Sequence, residues 1–526
     1  MTKITSDQNS KLVTTATVST PDLGSDRANC LTVEPGDPCT LVILGATGDL
    51  TARKLMPAIF NLYRERGLPR RYQIVGCGRT KLSSEAFRDR IEKALKRADI
   101  LDQSYWPTFA NAIHYQAIEY DDLQSYLSLK DTLSELDVKY NTRGNRIFYV
   151  ALPPELYRPV ARRIGQAGLS IENDKDQGWC RLVIEKPFGT NLSTARELDH
   201  SLHSHFKEHQ IYRIDHYLAK ETVQNLLMFR FANSLFEPIW NRRYVDYIDI
   251  VATETLGVEH RAGYYEPAGV LRDMFQNHMM QLLALTAMEP PFRFEADVVR
   301  DETVKVFRAL RPFDLERIQK HLTLGQYAAG AVNREPARAY REEPGVKAGS
   351  LTPTFAKMKV FLDNWRWQGV PFYLTSGKGM AEKITEIVIQ FKRVPHSMFR
   401  RTLDEAISAN RLTMGIYPDE KIVLTFQTKN PGAAMCLRTV TMDFEYQQNY
   451  TGPVLDAYEK VLIDCMLGDQ MLFWRQDSIE KSWSFLTPVL NECEGCDDRT
   501  DRLHFYEAGS SGPVEAQALI QTARSE

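Results

Sequence analysis

The chain has 526 residues, a formal net charge of −3, 43% hydrophobic and 25% charged residues. That length exceeds what one hydrophobic core usually serves, so two lobes with a cleft between them are expected. No apolar run reaches the roughly 20 residues of a membrane-spanning helix, and the near-neutral charge excludes a broad nucleic-acid-binding face while leaving room for a small basic pocket.

The opening residues lack the pattern of a secretory or transit peptide, which sets the expectation of a cytoplasmic protein. Residues 1–37, rich in Thr, Ser, Asp and Gly without helical or strand period, read as a flexible arm. From there the pattern changes. The apolar run Thr40-Leu-Val-Ile-Leu44 leads into glycines and then a segment with apolar Leu55, Ile59 and Leu62, which is strand, tight turn and amphipathic helix. The helix stops at Gly67-Leu-Pro69, and Tyr72-Gln-Ile-Val75 completes a βαβ unit. Further strands at 113–118, 146–152 and 180–184 alternate with helical stretches, so residues 38–210 are expected to form a Rossmann-like domain with a doubly wound parallel sheet. In residues 211–526 the order differs. Helical blocks at 219–235 and 270–288 flank an alternating strand at 247–254. Strand-like runs at 355–362, 386–391 and 422–428 follow without a helix after each. This predicts an α+β lobe on a large, mostly antiparallel sheet. The tail after Gly509 reads as loose. The eight cysteines are scattered and expected reduced; Cys493-Glu-Gly-Cys496 reads as two thiols in a late loop, since no second Cys or His pair stands near to complete a zinc site.

Gly45-Ala46-Thr47-Gly48-Asp49-Leu50 lies between the first strand and its helix, where missing Cβ atoms let backbone amides approach a pyrophosphate at a helix N-terminus. An enzyme that prefers NAD usually carries a carboxylate after the second strand; here Arg79 and Thr80 stand there. Arg79 suits a 2′-phosphate, with Thr47 placed to add a hydroxyl, so NADP is the expected cofactor. Glu119 and Tyr120, at the carboxyl end of the third strand, are weaker cofactor-binding candidates.

Three segments are dense in residues that do chemistry: Val183-Ile-Glu-Lys-Pro-Phe-Gly189, Arg213-Ile-Asp-His-Tyr-Leu-Ala-Lys-Glu221 and Gly269-Val-Leu-Arg-Asp-Met-Phe-Gln-Asn-His278. If the second is helical, His216, Tyr217 and Lys220 project from one face and suit a phosphate dianion. His278 is the candidate general base, because imidazole titrates near working pH and takes up the proton whose removal lets hydride leave carbon. A carboxylate partner would orient the ring. Asp273 is five residues earlier, about 140° around an ideal α-helix, so Asp215 is the better partner. Glu254 lies on the face of its strand that carries Ile248 and Ile250, and sugar hydroxyls would satisfy its carboxylate.

These segments, with Gly45-Ala-Thr-Gly-Asp-Leu50 before them and Asp363-Asn-Trp-Arg-Trp-Gln-Gly-Val-Pro-Phe-Tyr373 and Ser376-Gly-Lys378 after, resemble the glucose-6-phosphate dehydrogenase family in content and order. The resemblance implies oxidation of glucose 6-phosphate at C1 to the lactone with hydride transfer to NADP+, the first step of the oxidative pentose phosphate route. It implies that Asp215 pairs with the base and that Asp273 and Glu254 bind sugar hydroxyls. Lys186 would sit between cofactor and substrate, and Lys378 and Lys383 would reach the substrate from the second lobe; read alone, the last two are solvated lysines. It also implies a homodimer or homotetramer built through the antiparallel sheet and no metal. Some members hold a second, structural NADP with an Arg three residues before the lysine matching Lys378; Thr375 stands there, so none is expected. An NAD-tolerant dehydrogenase and a non-catalytic NADP-sensing module remain the alternatives.

Overall fold

The computed structural model describes residues 36–172, 178–218, 220–398, 407–432, 436–445, 454–496 and 498–522. Nearly all of the expected N-terminal arm, and Ala219, lie outside them. Six strands form the first sheet: β1 Cys39–Leu44, β2 Tyr72–Gly78, β3 Ile113–Ala117, β4 Arg146–Val150, β5 Cys180–Ile184 and β6 Ile211–Arg213. Their order is β3-β2-β1-β4-β5-β6, with every neighbouring pair parallel. All six residues of β1 are buried, because a parallel sheet covered by helices on both faces makes each strand a continuous apolar run. The chain turns from one side of β1 to the other between β3 and β4, so a crevice opens where β1 and β4 end. Gly45 and Ala151 meet there: Gly45 has φ +93°, and a Cβ on it would run into the Ala151 carbonyl oxygen. β6 is only three residues long and shows no period of its own.

The second sheet contains β7 Val245–Thr253, β8 Leu322–Ala328, β11 Phe355–Val360, β12 Phe372–Gly377, β13 Thr385–Phe391, β14 Arg411–Tyr417, β15 Lys421–Lys429, β16 Leu437–Glu445 and β17 Leu503–Glu507; the hairpin β9 Gly330–Val332 and β10 Glu335–Ala337 stands apart. The order is β16-β15-β14-β13-β7-β12-β11-β8-β17. It is antiparallel except at two places, β7 with β12 and β8 with β17, which run parallel. Parallel neighbours need a long crossover, and the helices between β7 and β12 supply one. Ile248, Ile250 and Ala252 bury one face of β7 in the core shared with those helices.

Two readings change. The tail after Gly509 is not loose throughout: Glu515–Thr522 is a helix that buries Ala516 and Leu519, and Leu519 packs with Tyr247 and Tyr373. Cys493 lies inside the helix Gln476–Gly495, with Cys496 as its C-cap, rather than in a loop. That helix and Ala457–Leu467 return to the first sheet's layers, where Val461, Leu462 and Met466 join the core beside Ile59, and Trp483 Nε1 donates to the Phe188 carbonyl at 2.9 Å.

Arg213, at the end of β6, is fully buried and lies between two carboxylates, 2.9 Å from Asp199 and 2.7 Å from Glu208. His203 bridges the same pair, Nδ1 to Asp199 at 3.1 Å and Nε2 to Glu208 at 3.0 Å. Among the described residues Asp199, His203 and Glu208 are the one group close enough to hold a metal ion, but the guanidinium already takes up both carboxylates. The hydrogen bonds to Asp199 and Glu208 lift the His203 imidazole from 6.5 to about 10. A raised value in the folded state means that the stability His203 contributes is complete below pH 6.5 and is lost as the pH climbs through about 10. We expect the urea midpoint to carry a falling component across that window in the native chain and to lack it in His203→Gln; parallel curves for the two proteins would refute this role.

Candidate active site

The candidate residues sit just past the carboxyl ends of strands from both sheets. Lys186 follows β5, Asp215 follows β6, Glu254 follows β7 and Lys378 follows β12. Because β7 and β12 are parallel with Thr253 opposite Gly377, Glu254 and Lys378 emerge side by side and form an ion pair. Glu254 is therefore not turned into an apolar face: its side chain is 33% exposed and its partner is an ammonium. Lys378, by contrast, is no solvated lysine, with 7% exposure.

Asp273 and His278 lie on the buried segment Leu271–Met279, which is π-helical. The reading that they face apart assumed an α-helix. Hydrogen bonds from i to i+5 stack residues five apart, so both side chains reach one lysine. Lys186 Nζ donates to Asp273 Oδ1 at 3.0 Å, to the Asp273 carbonyl at 3.1 Å and to His278 Nε2 at 3.2 Å. Asp215 Oδ1 lies 2.6 Å from His278 Nδ1. An ammonium only donates, so Nε2 carries the lone pair and Nδ1 carries the proton that goes to Asp215. Lys378 Nζ stands 3.9 Å from Asp273 Oδ2, and the Tyr264 hydroxyl donates to Asp273 Oδ1 at 3.2 Å.

Burial works against every charge here, and pairing decides the outcome. Burial opposes the Lys186 ammonium, yet the Asp273 carboxylate holds it well above the ordinary amine range. Burial opposes the Asp273 carboxylate too, but Lys186 and Lys378 carry it well below the usual carboxylate range. Asp215 is likewise lowered, burial being outweighed by His278. His278 goes down: burial, helped by Lys186, overcomes the attraction of Asp215.

Residues 216–218 form a turn, and the helix starts only at Glu221 with Lys220 as its N-cap. The expected single helical face does not form. Tyr217 instead stacks on the His278 ring at 4.1 Å, and Lys220 Nζ lies over Tyr217 at 4.5 Å. Lys383 joins Lys220 through a residue that sequence reasoning missed: Tyr417, the last residue of β14, has Lys383 Nζ 4.5 Å and Lys220 Nζ 5.2 Å from its ring. Burial and the nearby Lys383 push the Lys220 amine down and together outweigh the pull of the Glu420 and Asp215 carboxylates. Burial raises the Tyr217 phenol to about 12, leaving it a neutral donor. His216 packs on Tyr458 at 4.5 Å with Nε2 3.7 Å from Glu185 Oε2.

On the crevice of the first sheet, Ala46 is buried, Thr47 and Leu50 are half-buried, and Gly48 and Asp49 are exposed. Asp49 pairs with Arg53 along the helix. A Cβ on Gly78 would lie 3.4 Å from Thr47 Oγ1, so bare backbone lines a cradle beside the Thr47 hydroxyl, and the exposed Arg79 follows at its rim, 5.9 Å from the Tyr120 ring. Glu119 is exposed, with its backbone N–H bound to Ser125 Oγ. Arg90, missed because nothing in a helical arginine marks it, donates to the Thr47 carbonyl at 2.7 Å. Backbone cradle, hydroxyl and two arginines make a donor set that fits a dinucleotide with a phosphorylated ribose.

Residues 42–225 match the family described as "Glucose-6-phosphate dehydrogenase, NAD binding domain", and residues 227–526 match "Glucose-6-phosphate dehydrogenase, C-terminal domain". The chain belongs to the glucose-6-phosphate dehydrogenase family. A glucose-6-phosphate 1-dehydrogenase of Aggregatibacter actinomycetemcomitans is 45% identical over 483 residues, 92% of this chain and 95% of that protein. One from Bacillus subtilis is 39% identical over 480 residues, 91% and 96% of the two chains. A solved glucose-6-phosphate dehydrogenase in complex with its substrate glucose-6-phosphate superimposes with a TM-score of 0.85 at 35% identity, over 94% of this chain and 99% of that one. The Mycobacterium avium enzyme gives 0.77 at 33% identity, over 93% and 98%. Like them, this member of the glucose-6-phosphate dehydrogenase family joins a parallel nucleotide-binding sheet to a larger mixed one.

The lowered His278 value predicts an imidazole that is neutral, with its proton on Nδ1, at pH 6.5. Nitrogen NMR of the labelled ring across an acid titration checks this; a midpoint at or above 6.5 would mean that Asp215, not burial, dominates the ring.

Proposed function

We propose that this chain is a glucose-6-phosphate 1-dehydrogenase that oxidises D-glucose 6-phosphate at C1 to 6-phospho-D-glucono-1,5-lactone, with NADP+ as its cofactor. The observation that carries the reading is the oriented imidazole: His278 presents its lone pair at Nε2, turned toward Lys186, and anchors its other nitrogen on Asp215. A sugar C1 hydroxyl at Nε2 takes the place now held by the ammonium, hands its proton to His278, and the imidazolium is stabilised by the Asp215 carboxylate. Bound NADP+ supplies the hydride acceptor. Asp273, Glu254, Lys186 and Lys378, already paired with one another, exchange those partners for sugar hydroxyls. Lys220 and Lys383, with Tyr217 and His216, receive the phosphate. Gly45 to Leu50 hold the pyrophosphate, Thr47 and Arg79 the 2′-phosphate, and Tyr120 and Glu119 border the adenosine side. The family's habit supports a cytoplasmic homo-oligomer assembled through the nine-stranded sheet, and Thr375 speaks against a structural NADP there.

Absorbance at 340 nm tests the reaction. We expect it to grow with glucose 6-phosphate and not with glucose, and faster with NADP+ than with NAD+. His278→Asn should lower kcat by about 100- to 10,000-fold with substrate affinity nearly intact, and Lys220→Ala should raise KM for glucose 6-phosphate while sparing the same step. No signal from folded protein, or equal losses of affinity in both variants, would overturn the assignment. Arg79→Ala should narrow the preference for NADP+ over NAD+ by about tenfold or more, the worth of a charge-assisted contact; an unchanged ratio of kcat/KM would remove Arg79 from the 2′-phosphate.

A further inference from the structure

A cavity of about 610 Å³ opens at the far end of the nine-stranded sheet, among β8, β11, β17 and the helix Glu515–Thr522, and shares no lining residue with the cleft described above. It arises from a strand that begins late. β17 pairs with β8 only from Leu503 opposite Leu324 onward, whereas β11 pairs from Leu322. Leu322 and Thr323 therefore have no strand beside them on the β17 side among the described residues, and the cavity takes that place. Its volume falls within the about 300–1,000 Å³ of small-molecule sites.

Lys359 of β11 lines this cavity and is only 8% exposed. Its ammonium meets the face of Phe361 at 5.4 Å and forms no ion pair or hydrogen bond among the described residues. The stem of Lys359 is buried while its ammonium opens into the cavity with no anion beside it, which leaves its charge available to an anion from outside the chain. The surroundings fit. Arg317 and Lys320 line the same space, and neither forms an ion pair among the described residues. The carboxylates nearby are engaged or peripheral: Asp314 accepts from the Arg317 backbone N–H at 3.1 Å, Glu515 lies 3.6 Å from His504, and Asp501 is exposed. Ile318 and Leu519 give the remaining wall an apolar side.

We propose that this cavity is a second binding site, separate from the cleft, for a phosphorylated small molecule whose phosphate is held by Lys359 with Arg317 and Lys320. Inorganic phosphate is the probe. It is titrated calorimetrically into the full chain already saturated with glucose 6-phosphate and NADPH, which fill the phosphate positions of the cleft. We expect one phosphate per chain, bound about tenfold or more weakly by Lys359→Met, while that variant oxidises glucose 6-phosphate at the native rate. Phosphate should also raise the melting temperature of the native chain and leave that of Lys359→Met where it was. Should Lys359→Met fold poorly, Arg317→Ala, a surface change, must weaken phosphate in its stead. No phosphate uptake by the saturated native chain, or uptake unchanged in these variants, overturns the proposal.

Discussion

A single half-buried ammonium ties the molecule's two halves together. Lys186 leaves the first sheet just beyond β5 and ends on Asp273 and His278, which belong to a helix packed beneath the second. The buried carboxylate and imidazole it meets keep their states only with partners at hydrogen-bonding distance, and here each partner depends on another. Asp273 answers Lys186, Lys378 and Tyr264; His278 answers Lys186 and Asp215. Placing these groups requires a parallel sheet that ends at a crevice, a second sheet whose β7 and β12 run the same way, and a helix wound so that residues five apart coincide.

Support for that arrangement comes from parts of the chain remote in sequence. Arg213 precedes Asp215 by two residues and is gripped by Asp199 and Glu208 from one side and the Trp474 carbonyl from another. Helix Gln476–Gly495 closes over the same region, its Ser482 hydroxyl donating to the Gln276 carbonyl in the π-helical segment at 2.9 Å. The carboxyl-terminal third thus braces His278 and Asp215 from behind, and the cleft side is left to side chains paired with one another.

Much of this was legible in the residues. β1 and β5 read as strands because burial on both faces leaves a continuous apolar run, and the turn at Gly45 followed from the need for bare backbone at the crevice. The dense segments around Lys186, Asp215 and His278 marked side chains that the fold brings into hydrogen-bonding contact. What failed did so for identifiable reasons. Periodicity assumes 3.6 residues per turn, so the stacking of Asp273 and His278 was invisible to it. Lys378 looked solvated because only the parallel pairing of β7 with β12 brings Glu254 to it. Tyr417 has no local signal, being a lone aromatic at a strand end whose role appears when two distant lysines converge on its ring. β6 was too short to show any pattern, and the helix Glu515–Thr522 is fixed by tertiary contacts with Tyr247 and Tyr373 that no local pattern announces.

The arrangement of charge around Tyr217 has a consequence for how a ligand enters. On one side of that ring stand three carboxylates, Asp215, Asp273 and Glu254, against two ammonium groups, Lys186 and Lys378; on the other, two cations, Lys220 and Lys383, share Tyr417, with the Glu420 carboxylate acting on Lys220. The cleft is therefore polarised along its length, like a compass housing. A molecule with an anionic tail and a hydroxyl-rich head feels a torque before it touches anything, and arrives with its head toward the imidazole. Orientation, usually the slow part of a productive encounter, is here partly settled by the field of the cleft's own side chains.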